Sequence, residues 1–156
     1  MISIQRPGQP PIDIEYLLID YEGTLASDGR VHPKAKDKIN LLSKRVKIYI
    51  LAKSEKERVE ETLRRVKADL FYVTEGEASK QKLDLLLNLG APITVVIGNG
   101  VDDLPIMEEA GLCLCVIGKE GTSSEIIERA DIVFIHILDA LDFLLKPLRQ
   151  KATLGL

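Results

Sequence analysis

The sequence predicts a three-layer α/β domain, a parallel sheet with helices on both faces, preceded by a small β-hairpin. Three observations carry this prediction. Apolar runs of strand length alternate along the chain with amphipathic runs of helix length, the order that parallel crossovers require. The run Tyr16-Leu17-Leu18-Ile19 is continuously apolar, which predicts a strand buried on both faces. Residues 2–5 and 12–15 instead alternate apolar and polar, with Pro7-Gly8-Gln9-Pro10 as a turn between them. The expected organisation is one domain over residues 1–156, with the hairpin in 1–15 and a Rossmann-like core in 16–147.

The elements follow in order. A strand over 16–20 leads into a polar segment, 22–29, where Ser27-Asp28-Gly29 marks a tight turn and a short flap. A helix is predicted over 34–44, a strand over 46–51, a charged helix over 55–67 and a strand over 70–73. The next helix, 77–89, is closed by Gly90. A buried strand over 93–97 runs into Gly98-Asn99-Gly100, which opens a short helix over 103–110. A strand over 112–117 comes next, and Thr122 and Glu125 have capping-box spacing for a helix ending at 129. A strand over 132–135 and a helix over 138–146 complete the prediction.

Composition narrows the function classes. The chain has 21 Lys and Arg against 24 Asp and Glu, a net charge of -3, which argues against a sequence-independent nucleic-acid binder. Aromatic residues are 4% with no Trp, so no base-stacking platform is expected. No apolar run is long enough to span a bilayer, and the first residues lack a signal-peptide pattern. A reducing, cytoplasmic setting is the expectation. Cys113 and Cys115 are expected on one strand, pointing to opposite faces, as packing residues with no bond between them. His32 and His136 are read as structural or surface residues.

In an open parallel sheet, ligands bind beyond the carboxyl ends of the strands, where the strand order reverses. The residues after the strands therefore matter most: Asp20 to Thr24, Ala52-Lys53-Ser54, and Gly98 to Asp103. Two of these three loops are acidic. Converging carboxylates repel unless a cation joins them, and oxygen ligands without His or Cys favour Mg2+ over zinc. Taken singly, Asp20 reads equally as a nucleophile or metal ligand and as a polar strand end. Asp102-Asp103 alone reads as a helix start. The pair, each after a buried strand and beside glycines, points to a site.

The segments Leu17-Leu18-Ile19-Asp20-Tyr21-Glu22-Gly23-Thr24-Leu25 and Val95-Val96-Ile97-Gly98-Asn99-Gly100-Val101-Asp102-Asp103 resemble motifs of the haloacid dehalogenase-like (HAD) hydrolases. The chain is most similar to small soluble members related to the phosphorylation domain of P-type ATPases. The stretch Val116-Ile117-Gly118-Lys119-Glu120-Gly121 is similar to that subgroup too. The resemblance implies a HAD-like fold and a Mg2+-dependent phosphomonoester hydrolase acting through an aspartyl-phosphate. Asp20 would be the nucleophile and a metal ligand, with the Glu22 carbonyl and Asp103 as further ligands and Asp102 and Asn99 beside them. Lys82 would neutralise the phosphoryl oxygens, with Lys80 as the competing choice. Thr24, Lys53, Ser54 and Gly100 would surround the phosphate.

Three positions depart from the family pattern. Glu22 stands where the usual general acid is Asp, which adds one methylene. Ala52 stands where a hydroxyl is usual, and Asn99 replaces an acid. These departures imply slow turnover, or alternatively an impaired domain that binds metal, phosphate or a protein partner. The spacings from Asp20 to Ala52 and from Ala52 to Lys82 leave no room for a cap domain. An uncapped crevice suits a large phosphorylated substrate or closure by another subunit, so a homo-oligomer is expected.

Overall fold

The computed structural model describes residues 1–155; residue 156 lies outside them. Strands β1 (Ile2–Arg6) and β2 (Gln9–Ile14) form the antiparallel hairpin, with Ile2 opposite Ile14 and Ile4 opposite Ile12. These four isoleucines are buried in the main core, so the hairpin's apolar row is spent within the chain. The sheet follows, with β3 (Tyr16–Asp20) at its centre. The flap is a two-stranded turn, β4 (Ala26–Ser27) and β5 (Arg30–Val31), and leads to α1 (Pro33–Leu42). Then come β6 (Lys47–Ala52), α2 (Lys56–Thr62), β7 (Asp69–Tyr72), α3 (Ala78–Leu89) and β8 (Thr94–Gly98). A 3-10 turn, Val101–Asp103, opens α4 (Leu104–Glu109). The chain continues through β9 (Leu112–Val116), α5 (Ser124–Arg129), β10 (Ile132–Phe134), α6 (Ile137–Leu145) and α7 (Pro147–Leu154). No helix among the described residues is long and apolar enough to cross a membrane.

The six-stranded sheet has the order β10-β9-β8-β3-β6-β7 and is parallel throughout. The chain moves outward from β3 to β7, then returns to lay β8 on the other side of β3. The strand order therefore reverses between β3 and β8, and their carboxyl ends flank a crevice. Period-two alternation divides the side chains between two cores. Leu17, Ile19, Val95 and Ile97 enter the layer shared with α1, α6 and the hairpin. Leu18, Val96 and Leu51 enter the layer under α3, α4 and α5.

Four expectations need correction. The charged helix after β6 ends at Thr62 rather than 67. Arg65 there takes a positive φ of 69°, and the Asn40 side chain ties the bend by binding Arg65 O and Lys67 N. Thr122 caps no helix: Ser123 is the cap residue of α5, and the Thr122 hydroxyl donates to Asn99 O at 2.6 Å. A further helix, α7, extends the fold beyond residue 147; Gln150 docks it by donating to Phe143 O at 2.8 Å. Cys113 and Cys115 share one face of β9, because residues two apart on a strand point the same way. Both are free and buried, and burial pushes the Cys113 thiol up to about 12, so it is a packing residue.

Asp142 on α6 binds three helices together. Its carboxylate lies 2.7 Å from Lys38 Nζ on α1, and 3.6 Å from both Lys146 Nζ and Arg149 Nη1. Burial opposes its charge, but these cations, Lys38 foremost, hold the carboxyl below its usual range. Its stabilising contribution is therefore present above about pH 4 and lost as pH falls through the depressed value. Asp142→Asn is expected to cost about 1–3 kcal/mol in denaturant unfolding at pH 7. The gap from wild type should narrow in acid.

Candidate active site

Asp20 ends β3, and Asp103 ends the 3-10 turn that follows β8, so the two stand on either side of the switch point. Both are buried. Between them lies the Lys82 ammonium, which reaches in from α3. Lys82 has no exposed surface at all, and its Nζ donates to Asp20 Oδ1 at 2.9 Å and to Asp103 Oδ1 at 2.7 Å. Asp102 Oδ2 is 3.4 Å from the same ammonium and also pairs with Lys53 Nζ. Lys80 is exposed, whereas Lys82 is the lysine that lies in the crevice.

The loop after β8 is built around Asp103. Its second oxygen accepts the backbone N–H groups of Asn99 and Gly100, each at 3.2 Å. Gly98 makes this possible, since a Cβ there would lie 2.5 Å from Asp103 Oδ2. Gly100 thus has its N–H committed to Asp103. Asn99 Nδ2 donates to Gly23 O at 2.7 Å and to Gly121 O at 3.3 Å, so its amide ties three loops together. Gly23 has φ 76°, and a Cβ on it would sit 2.8 Å from Asn99 Nδ2. That close approach is what a glycine three residues after Asp20 supplies.

Glu22 turns towards the loop after β6. Its Oε1 accepts Lys53 N at 2.8 Å; its Oε2 accepts Ser54 N at 3.3 Å and the Ser54 hydroxyl at 2.7 Å. A carboxylate thus occupies the donors that an incoming anion would use. Ala52 is fully buried and offers no side-chain donor there. Thr24 is buried beneath the flap, and its hydroxyl has no hydrogen-bond partner.

The electrostatics follow from this crowding. Three carboxylates (Asp20, Asp102 and Asp103) face two ammonium groups (Lys53 and Lys82), so ionisation of all three would leave one negative charge uncompensated. Burial, and then Asp103, push the Asp20 carboxyl well above its usual range, against the pull of Lys82. Burial works against the Lys82 charge, but Asp103 and Asp20 outweigh it and hold the ammonium above its ordinary value. Asp102 is held below the usual range by Lys53 and Lys82, which overcome its burial. A small hard cation entering this crevice of oxygen donors would let all three acids ionise together.

No family model matches the chain. Two proteins of Methanocaldococcus jannaschii are similar to it. One is an uncharacterized protein, 49% identical over 59 residues, which make up 38% of this chain and 63% of that protein. The other is a soluble P-type ATPase-like phosphatase, 26% identical over 135 residues, 85% of this chain and 50% of that protein. The chain thus spans less than two thirds of the length of either relative. Among solved structures, one from Legionella pneumophila, described as a HAD superfamily (subfamily III A) hydrolase, superposes with a TM-score of 0.71. It has 19% identity, covering 92% of this chain and 88% of that one. The 3-deoxy-D-manno-octulosonate 8-phosphate phosphatase of Moraxella catarrhalis, solved with magnesium, phosphate and the sugar acid, gives a TM-score of 0.71. Its identity is 13%, covering 91% of this chain and 92% of that one. The fold is that of the HAD-family hydrolases.

Proposed function

We propose that this chain of HAD-hydrolase fold is a magnesium-dependent phosphomonoester hydrolase, with Asp20 as nucleophile and an aspartyl-phosphate as intermediate. The observation that carries the reading is the buried Lys82 ammonium shared by Asp20 and Asp103 across the switch point. A buried charge cluster is costly to maintain, and well-packed apolar residues often match or exceed its stability. Such a cluster at the ligand-binding end of a parallel sheet is a functional candidate.

The donor set fits magnesium. Asp20, Asp103 and the backbone carbonyl of Glu22 would hold the ion. Among the described residues no three His, Cys, Asp or Glu side chains are grouped so as to hold a metal ion, so the ion would rest on two carboxylates and a carbonyl. Magnesium commonly binds through one or two carboxylates and retains water. When bound, it would neutralise charge on the transferring phosphoryl group. Asp20 would attack phosphorus, forming a new P–O bond as the ester P–O bond breaks and the leaving alkoxide takes up a proton. Water would then attack phosphorus, releasing inorganic phosphate and restoring the carboxylate. Lys82 holds Asp20 in place and would offset charge on the phosphoryl oxygens. Lys53 N, Ser54 N and the Ser54 hydroxyl would bind phosphate once Glu22 swings away. Glu22, so released, is the group placed to hold and return the proton.

The test is release of inorganic phosphate from an aryl phosphate, with magnesium and then with a chelator in excess. Turnover that persists in the chelator, or that survives Asp20→Asn, would sink this reading. A second reading, an impaired domain, is supported by the three hydrogen bonds that hold Glu22 on the phosphate donors. The two divide at Glu22→Ala. Freeing these charge-assisted donors should tighten binding of inorganic phosphate about tenfold in calorimetric titration. In the hydrolase reading kcat should fall at the same time. Phosphate affinity that does not rise would show that Glu22 is not competing for the cradle.

A further inference from the structure

Beside the catalytic crevice, under the flap, lies a cavity of about 630 Å³ to which the proposed chemistry assigns nothing. Its wall joins three distant segments: residues 23–33, running through the flap to the start of α1, the end of β9 with the loop after it, and the start of α6. The volume is that of a small-molecule pocket.

The polar part of its lining favours an anion. His32 and His136 lie on the wall with ring centroids 6.2 Å apart, edge to face. Each caps a helix: His32 Nδ1 accepts Lys34 N at 3.0 Å for α1, and His136 Nδ1 accepts Leu138 N at 3.0 Å for α6. An Nδ1 that accepts a hydrogen bond carries no proton, so each ring's N–H is on Nε2 as a donor. The positive ends of two helices, of 10 and 9 residues, thus meet at one cavity. Arg30 and Lys119 add two cations to the wall, and among the described residues neither takes part in an ion pair. Asp28 is the acid on the wall, and the Glu120 carboxylate stands behind it, accepting Asp28 N at 2.9 Å. Thr24 and Ser27 on the same wall each carry a hydroxyl without a hydrogen-bond partner, but both oxygens are shut off from the cavity's open space and are not offered to its occupant. Leu25, Val116 and Ile137 supply apolar surface between the polar groups.

We infer that this cavity is a binding site for a small organic carboxylate with an apolar body, separate from the Asp20 centre. The carboxylate would lie toward Arg30, Lys119 and the imidazole N–H groups, and the body against Leu25, Val116 and Ile137. Two sources share this chemistry: the leaving group of a phosphorylated substrate, since Gly23 borders both the cavity and the catalytic mouth, or an independent ligand. The site does not depend on the hydrolase reading, because its test is binding.

The test titrates the full chain with benzoate, and with benzamide as the uncharged control, followed by amide NMR. Saturable shifts are expected with benzoate, confined to residues 23–33, 116–119 and 136–137, and at least tenfold weaker binding of benzamide. The double variant Arg30→Ala/Lys119→Ala changes two exposed side chains and should weaken benzoate at least tenfold while leaving the rest of the spectrum intact. Equal binding of benzamide, no saturable shift, or an undiminished affinity in the double variant overturns the inference. Competition with the aryl phosphate in turnover would assign the cavity to the leaving group. Binding without competition would assign it to a separate ligand.

Discussion

Asp20→Asn is expected to lower turnover by on the order of 10^4 or more, as loss of a covalent nucleophile does, yet to leave the melting temperature unchanged or higher. The two results together identify the role. Asp20 is buried among carboxylates, and burial and Asp103 push its carboxyl well above its usual range. The folded state therefore disfavours the ionised form. Between the ordinary value near 4 and the raised one, the folded protein holds a proton that the unfolded chain has released. Stability consequently falls as pH rises through that window, and without metal the wild type should gain stability on mild acidification. The Asn variant cannot titrate at this position and should lack that gain. Added magnesium should reverse the pattern by stabilising the wild type at neutral pH far more than the variant. A melting curve measured against pH and magnesium reads all of this without any substrate. Retained turnover in the variant would remove Asp20 as nucleophile. An equal magnesium response in both proteins would remove it as a metal ligand.

What the sequence disclosed and what it hid have physical reasons. The strand over Tyr16–Asp20 was legible because a parallel strand covered on both sides needs a continuous apolar run. The Asp20 and Asp103 loops were legible because each acid follows such a run and has glycines beside it; Gly98 proves to be the space that Asp103 occupies. Lys82 gave no signal as a lone lysine in a helix. Its neighbours did give one, since Ala78, Lys82 and Leu86 recur every four residues and all are buried, which places a lysine on an apolar stripe. The direction taken by Glu22 was hidden, because the donors of Lys53 and Ser54 belong to a loop 31 and 32 residues away. The pairing of His32 with His136 was hidden for the same reason. Thr122 misled because its spacing to Glu125 satisfies a local rule, while its hydroxyl is used by a distant carbonyl at Asn99. Helix α7 carries a polar sequence after Pro147, and tertiary docking through Gln150, rather than periodicity, defines it.

Lys82→Met should combine two losses that Asp20→Asn separates. Met keeps most of the side-chain volume, so the packing against α3 survives while the ammonium disappears. Asp20 and Asp103 then lose their shared donor in a buried setting, and Asp102 loses one of its two cations. Removing one partner of a buried charge cluster costs about 3–5 kcal/mol, and this is expected as a clear drop in unfolding free energy at pH 7. The lysine's folded-state value lies above its ordinary one, so its contribution is present in full below about pH 10 and fades only above it. The stability difference between the two proteins should therefore hold from neutral pH up to that limit. On the acid side of neutrality, the difference should shrink as the carboxylates left behind take up protons. Magnesium should recover part of the lost stability, because a divalent cation can neutralise the acids that Lys82 no longer serves. Turnover should nevertheless stay depressed by about 10^2–10^3, the usual consequence of deleting one charged donor at the reacting group. Activity restored to wild type by magnesium alone would mean that Lys82 only balances charge in the resting protein. Stability equal to wild type without metal would mean that the acids are not ionised together.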